Sequence, residues 1–361
     1  MKSFITSSDI MIRNAWYVAG FSEEFQTEKL QQQIITERPI VLWRTHEGRV
    51  VAFDDRCCHK RMPISAGRFI ESGVLECAYH GLCFNSQGKC VRIPSQPDTP
   101  IPSRARLTAF PVVEQDGLVW IWPGDPSKVG DTAPPPTPEL ADPGWDRTTE
   151  KQVVPANAMF MIENLLDVSH LYPLHDGNIG NIGYSSVPMR MEVGQINGMD
   201  YVKTIREAEN LRQSPDFIEM LGYEQIDGYN SQAMVGPGTI LAERSVWPAG
   251  RRGDASVHRL FRSMHMFTPI NRQSNTYRWA FVMPKGQKSG TDPNKLGIQV
   301  MREKVPPIVA QDIWAVVRQQ QMCEVPDDDF EEMYLKSDAG MAKAREIVTR
   351  MQRAEADPAS P

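Results

Sequence analysis

Two short loops carry the densest chemistry in the sequence. Cys57-Cys58-His59 is followed downstream by Cys77-Ala78-Tyr79-His80-Gly81, so that each loop offers one thiol and one imidazole. A structural zinc site usually groups its ligands by type, with paired cysteines on one loop and paired histidines on another. Here each loop supplies one of each, which suits a [2Fe–2S] cluster whose first iron takes both cysteines and whose second takes both histidines. Imidazoles in place of thiolates raise the reduction potential of such a cluster.

A second set lies in the stretch from Glu163 to His175, where Asn164, Asp167 and His170 recur every three residues among leucines. That spacing predicts one helix with a polar stripe, and polar groups on a largely buried face need partners. His170 and His175 are five residues apart, which turns them ~140° from each other on a regular helix. Pro173 cannot donate a backbone hydrogen bond and is expected to kink or end the helix, bringing His175 back toward His170. Two imidazoles and one carboxylate on one side of an ion make a mononuclear Fe(II) site with open positions. The carboxylate must come from elsewhere. Asp312, an acid in the apolar run from Ile308 to Val317, is one candidate; Glu303 and the Asp327-Asp328-Asp329 run are the others.

Together, Cys57-x-His59, Cys77-x-x-His80 and Asn164-Leu165-Leu166-Asp167-x-x-His170 with His175 resemble the oxygenase component of Rieske non-heme iron oxygenases. The flanks, Arg13-Asn14-Ala15-Trp16-Tyr17-Val18-Ala19 and Val119-Trp120-Ile121-Trp122-Pro123-Gly124-Asp125, are most similar to the vanillate O-demethylase, dicamba demethylase and toluenesulfonate methyl-monooxygenase group. Departures are local: Ala78 stands where Pro is common, Lys60 where Arg is common, and Val317 where Glu is frequent. The resemblance makes Cys57, His59, Cys77 and His80 ligands of a Rieske [2Fe–2S] cluster, with Cys58 and Cys83 as bystanders. It makes His170, His175 and Asp312 ligands of a mononuclear Fe(II). It implies that Asp167 hydrogen-bonds a cluster histidine of a neighbouring subunit, equivalent to His80, in a cyclic homotrimer. Read from the sequence alone, Asp167 is a helix-surface acid. Asn164 is expected to orient the iron site, and His265 to face substrate or to be a strand histidine capped by a neighbour.

The implied reaction is hydroxylation by O2 of a methyl, methoxy or N-alkyl group on an aromatic compound, with oxidative demethylation as its usual outcome. A ring cis-dihydroxylating dioxygenase would use the same ligands, and a Rieske electron-transfer protein would need only the first set. No flavin or nicotinamide fingerprint is present, so electrons from NAD(P)H must arrive through a separate reductase of the flavin or ferredoxin type. Arg244, Arg251, Arg252, Arg259 and Arg262 either hold an anionic group of the substrate or form a solvated edge. Trp247 and Phe261 either wall an aromatic ring or fill the core.

These residues need two scaffolds. Short β-type runs such as Ile40–Trp43, Val50–Phe53 and Leu118–Trp122, separated by turn residues, predict an all-β domain over residues 1–134. The prolines at 134, 135, 136 and 138 read as a linker. Residues 135–361 are expected to form an α+β catalytic domain: a curved antiparallel sheet covered by helices, in a helix-grip-like arrangement. Its strands fall between Met189 and Pro284, and its later helices run from Ile308 to Met322 and from Ala339 to Ala354. The tail from Asp357 reads as disordered. With 361 residues and a formal charge of −6, the chain has no basic footprint for nucleic acid or an anionic membrane. The first residues lack the apolar core of a signal peptide, and no run is long enough to span a bilayer. Six cysteines, several of them beside histidines, fit metal binding in a reducing, cytoplasmic setting.

Overall fold

The computed structural model describes residues 10–325, 330 and 332–356. The Asp327-Asp328-Asp329 run, the first nine residues and the tail from Asp357 lie outside them. The chain divides into two compact units, one spanning Arg13–Gly130 and the other running from Asp131 onward with Ile10–Ile12 joined to it. The division therefore falls a few residues before the proline run, and Ile10–Ile12 group with the second unit rather than the first. The prolines are not a free tether. Pro134 and Pro135 are buried in the second unit, where the Pro134 carbonyl accepts from Asn197 Nδ2 at 2.8 Å. A proline has no N–H to leave unpaired when it is buried in this way.

The first unit is built from β1 (Tyr17–Phe21), β2 (Gln31–Ile35), β3 (Arg38–Arg44), β4 (Val50–Asp54), β5 (Arg68–Glu71), β6 (Val74–Glu76), β7 (Cys83–Phe84), β8 (Cys90–Arg92), β9 (Ala109–Phe110), β10 (Val112–Gln115) and β11 (Leu118–Ile121). They form antiparallel sheets in the orders β1-β11-β10, β2-β3-β4-β9 and β5-β6-β7-β8. One core cluster gathers Trp43, Phe53, Ile64, Leu75 and Phe84 around the Cys57 and Cys77 side chains. The two cysteines thus project from loops into a dry interior.

The second unit contains β12 (Trp145–Val154), α1 (Ala158–Leu166), α2 (Leu171–Leu174), α3 (Ile182–Ser185), β13 (Met189–Ile196), β14 (Met199–Arg212), α4 (Pro215–Leu221), β15 (Gln225–Val235), β16 (Thr239–Pro248), β17 (Arg259–Asn271), β18 (Ser274–Pro284), α5 (Gly297–Cys323) and α6 (Ala339–Ala356). Its seven strands form one antiparallel sheet in the order β12-β18-β17-β16-β15-β14-β13. Because side chains alternate along a strand, Phe261, Ser263, His265 and Phe267 of β17 share one face. Opposite them, Tyr277, Trp279 and Phe281 of β18 stand on the same face. β12 was not anticipated. Its run Trp145-Asp146-Arg147-Thr148-Thr149-Glu150-Lys151 is mostly polar because it is an edge strand, paired only with β18.

α5 departs from expectation at its start. It begins at Gly297 and runs through Pro306 and Pro307 instead of beginning after them. The carbonyls that these prolines leave without a helical donor belong to Arg302 and Glu303, both exposed residues.

α1 is held to α6 by a buried ion pair. Arg345 Nη2 meets Glu163 Oε2 at 2.9 Å, and Arg345 Nε meets Glu163 Oε1, with the side chains only 10% and 8% exposed. Glu332 and Tyr334 complete the guanidinium's partners. Glu163→Gln is expected to cost roughly 3 kcal/mol, the low end for breaking a buried pair, because Glu332 still neutralises part of the charge. Urea unfolding of the two chains measures it.

Candidate metal centres and substrate pocket

In the first unit the two ligand-bearing loops share one backbone form. Cys57 N–H donates to Met62 O and Arg61 N–H to Cys57 O, at 2.8 and 2.9 Å. Twenty residues on, Cys77 N–H donates to Leu82 O and Gly81 N–H to Cys77 O, at 2.8 and 3.1 Å. The closing position has a positive φ in both loops, +58° at Arg61 and +70° at Gly81. Glycine occupies that region freely, while Arg61 carries a modest strain. The outcome is a matched pair of projections. Cys57 and Cys77 are 2% and 1% exposed, whereas His59 and His80 lie at the surface with ring centroids 4.4 Å apart. Burial pushes the Cys57 thiol up to about 12, so a thiolate there needs a cation beside it. Buried sulfurs on one side and exposed ring nitrogens on the other fit a cluster with an inner and an outer iron. Cys58 is exposed, and Cys83 is buried next to Arg92, whose Nε donates to its sulfur at 3.3 Å.

In the second unit, the expected single helix through His170 does not form. α1 ends at Leu166, and Asp167 takes an extended conformation. The chain breaks there because the Asp167 carboxylate accepts from the Ser169 N–H at 2.9 Å and from the Ser169 hydroxyl, a side-chain turn that competes with helix continuation. His170 and His175 then flank α2 at its two ends. The break that makes the histidine spacing workable thus lies before His170. Pro173 sits inside the short α2, where its missing N–H costs little.

His170, His175 and Asp312 meet, with one ligating atom from each lying within 4.8 Å of the others. His175 Nε2 is 3.1 Å and His170 Nε2 3.5 Å from Asp312 Oδ1. The opposite ring nitrogens are engaged. His175 Nδ1 pairs with Gln311 Oε1 at 2.8 Å, and His170 Nδ1 with the backbone carbonyl of Asp167. An oxygen partner at each Nδ1 fixes the proton there and leaves Nε2 as a lone pair. Two lone pairs then face a carboxylate oxygen, an arrangement of acceptors that only a cation between them stabilises. The donor set therefore fits a divalent metal. Burial holds His170 below its ordinary value; at His175 burial acts the same way, but the Asp312 carboxylate outweighs it and raises the value, since an anion there favours any positive charge, a metal ion or a proton, placed between the two.

Asn164, on α1, donates through Nδ2 to Asp312 Oδ1 at 3.2 Å, crossing from one helix to the other. Gln311 was missed in the sequence. Its place beside Asp312 was visible, but its partnership with a histidine 136 residues away was not. Gly180 also matters locally. Its N–H donates to His175 O at 2.9 Å, and a Cβ there would lie 2.7 Å from His175 O and 2.8 Å from Leu171 O. Gly180→Ala is therefore expected to push the His175 loop outward and weaken metal binding by about 10–100-fold, the range for disturbing a ligand's support. Iron titration of the apoprotein, against the same measurement on the cluster, checks this.

A mostly apolar pocket opens beside this centre. His170, His175 and Asp312 lie on its wall, with Leu165 and Ile308 from α1 and α5, Val168 from the break between α1 and α2, and Phe217, Phe261 and Phe281 around it. His265 lines it too, capped on both sides: Nδ1 pairs with the Tyr277 hydroxyl at 2.7 Å and Nε2 with Ser263 Oγ at 3.0 Å. Burial pulls His265 down to about 4, against an opposing pull from Asp312. The unfolded chain would protonate this ring near pH 6.5, while the folded chain refuses the proton until about 4. Stability is therefore full above pH 6.5 and falls as pH drops through that window, by up to about 3 kcal/mol. The difference between wild type and His265→Gln in denaturant unfolding, followed across that range, isolates the contribution. Trp247 is not on the pocket wall and stacks on His258 at 4.4 Å. Arg251, Arg252 and Arg262 are paired with Asp254, Glu207 and Glu243, and Arg259 donates to the Lys288 carbonyl at 3.0 Å.

Comparison with known proteins agrees with this division. Residues 15–111 match the Rieske [2Fe-2S] domain, and residues 154–354 match the vanillate O-demethylase oxygenase C-terminal domain. The vanillate O-demethylase oxygenase subunit of a Pseudomonas strain is 30% identical, covering 96% of both chains. A putative toluene-4-sulfonate monooxygenase system iron-sulfur subunit of Comamonas testosteroni is 28% identical over 96% of this chain and 98% of its own. The crystal structure of dicamba monooxygenase bound to dicamba superposes with a TM-score of 0.82 at 26% identity, over 96% of this chain and 99% of that one.

Proposed function

Because the chain belongs to the Rieske non-heme iron oxygenases of the vanillate O-demethylase family, we propose that it removes a methyl group from an aromatic ether or N-alkyl compound. The protein is an oxygenase component, a Rieske monooxygenase of the demethylating type rather than a ring dihydroxylase. It carries a [2Fe–2S] cluster and a non-heme iron and receives electrons from a separate reductase. The observation that carries the reading is the convergence of His170, His175 and Asp312 on the wall of a mostly apolar pocket lined by Phe217, Phe261 and Phe281. A pure electron carrier has no use for either.

When bound, the cluster delivers electrons singly and the iron activates O2. The chain's own residues do the rest. Cys57, His59, Cys77 and His80 hold the cluster; His170, His175 and Asp312 hold the iron, with Asn164 orienting the carboxylate and Gln311 and the Asp167 carbonyl fixing the imidazoles. Leu165, Val168 and Ile308 exclude water, and His265, with both nitrogens held by Tyr277 and Ser263, gives the pocket wall a neutral ring. The balance is ROCH3 + O2 + 2e⁻ + 2H⁺ → ROH + HCHO + H2O, since a hydroxylated methoxy carbon is a hemiacetal that releases formaldehyde. The finer assembly is part of the same reading: a cytoplasmic cyclic homotrimer in which Asp167 reaches His80 of the partner subunit, served by a flavin- or ferredoxin-type reductase. Among the described residues, no helix is long and apolar enough to cross a membrane.

The test is turnover of the reconstituted enzyme with a reductase and a panel of methoxylated, N-methylated and methylated aromatics under ¹⁸O2. One labelled oxygen in the nascent product and stoichiometric formaldehyde from the ethers and N-methyl compounds are expected. A cis-diol carrying both labelled atoms would overturn the reading.

A further inference from the structure

The side chains that line the pocket include one phenol, Tyr277, and no indole. The Tyr277 ring is 1% exposed and stacks on Phe267 at 4.7 Å, screened from bulk water. Its hydroxyl lies 2.7 Å from His265 Nδ1, its one hydrogen-bond partner among the described residues. A buried hydroxyl with a single partner points its proton there, so the phenol donates and Nδ1 accepts. The ring proton of His265 then sits on Nε2 and is donated to Ser263 Oγ at 3.0 Å. A buried phenol is thus held against the lone pair of a neutral imidazole.

This pairing decides which ring near the metal centre gives up an electron most readily. A phenol that loses an electron becomes a far stronger acid than any imidazolium, so its proton crosses to Nδ1 in the same event. Burial keeps Tyr277 protonated at rest, and the charge of Asp312, which acts in the same direction, places the phenol within electrostatic reach of the metal ligands. Competing rings lack such an arrangement. Trp279 stands on the same face two residues along β18, but its buried Nε1 has no partner to receive a proton. The Tyr184 ring lies 5.2 Å from the Arg244 guanidinium, and a cation there opposes loss of an electron. The phenylalanines are harder to oxidise than either.

We propose that Tyr277 and His265 form a redox outlet that spares the metal centre when O2 is reduced with no substrate in place. Two electrons and two protons given to O2 and not spent on a C–H bond produce hydrogen peroxide. Peroxide in turn needs two electrons and two protons to become two waters; the ferrous iron gives one electron and Tyr277 the other. The phenol O–H bond breaks, its proton forms an N–H bond at His265 Nδ1, and a neutral tyrosyl radical then faces an imidazolium. One electron from the reductase, passed through the cluster, and return of the same proton restore both residues. Without the outlet, the second electron comes from the metal ligands or from Met220 on the pocket wall. The outlet goes beyond demethylation and needs only the iron, so radical formation and formaldehyde release succeed or fail separately.

The experiment mixes hydrogen peroxide with substrate-free holoenzyme, its iron ferrous and its cluster oxidised, and freezes the mixture within milliseconds for electron paramagnetic resonance. A tyrosyl radical is expected in the wild type, its hyperfine splitting narrowed when the protein carries ring-deuterated tyrosine. Tyr277→Phe should lose the signal, and its tryptic peptides should gain oxidised Met220 and His170 faster per peroxide consumed. His265→Gln keeps an acceptor for the phenol but cannot take its proton, so radical formation should slow about 10²-fold, the low end for a positioned proton acceptor. Thermal unfolding, iron content and cluster absorbance establish that both variants are folded and loaded. Iron-free wild type should give no signal. The inference is overturned if the wild type forms no tyrosyl radical, or if the radical survives Tyr277→Phe or forms without iron. Peptide oxidation in Tyr277→Phe no faster than in the wild type would overturn it equally.

Discussion

Asp312→Ala is expected to yield a folded, coloured protein that keeps its cluster, loses the mononuclear iron and turns over at least on the order of 10³-fold more slowly. The reasoning starts from charge. His170 and His175 are neutral ligands when they coordinate, so Asp312 supplies the only anion of the set and also the oxygen nearest both Nε2 atoms, at 3.5 and 3.1 Å. Without it, two imidazoles remain with ring centroids 5.4 Å apart, and the Asn164 amide loses the acceptor it holds at 3.2 Å. The cluster loops draw no ligand from α5, so their metal content should not change. Iron and sulfide analysis together with the cluster's visible spectrum separate the two losses. Wild-type iron content in the variant would remove Asp312 from the ligand set.

Asp167→Asn is expected to abolish steady-state turnover while both metals stay bound. Within the chain, the Asp167 carboxylate caps its own turn, accepting from Ser169 at 2.9 Å, and its charge also favours the cationic forms of His170 and Arg206. Asn retains an oxygen for that bond, so the break between α1 and α2 should survive and hold His170 in place. What the substitution removes is the charge, which a bridge to the partner subunit's His80 would need. Rapid mixing is the sharpest readout: reduction of the cluster by reductase should proceed at the wild-type rate, and its reoxidation in the presence of substrate and O2 should stall. Undiminished turnover would leave Asp167 as a turn-forming acid and nothing more.

The cluster loops were legible in the sequence because ligand type and spacing are both local, and each loop is closed by bonds spanning four or five residues. The strands were legible for a similar reason, through alternation and turn residues. The mononuclear site was readable in composition and misread in conformation. Asn164, Asp167 and His170 have helical spacing, and nothing in that spacing reveals that the Asp167 side chain captures the Ser169 N–H and ends the helix early. Pro306 and Pro307 mislead in the opposite direction, because a helix tolerates missing bonds when the freed carbonyls belong to exposed residues. Gln311, Tyr277 and Ser263 were invisible as partners, since each acts through a contact made only by folding. The five arginines from 244 to 262 look alike in sequence. Only strand register and pairing separate Arg244, buried against Phe217 and bonded to Gln213, from the four that are tied off.

The proline pair in α5 has a mechanical consequence. On its N-terminal side, Lys304 fastens the helix to α4 through Asp216 and Glu219 at 2.9 and 3.0 Å. On its C-terminal side, Gln311 and Asp312 fasten it to His175 and Asn164. Between these anchorages two rungs of the backbone ladder are absent, and this is where Val305, Ile308 and Val309 form part of the pocket wall. A helix short of two rungs is less firmly braced there than in the turns on either side, so the pocket wall is built on the weakest stretch of α5 and the metal ligand on a fully bonded one.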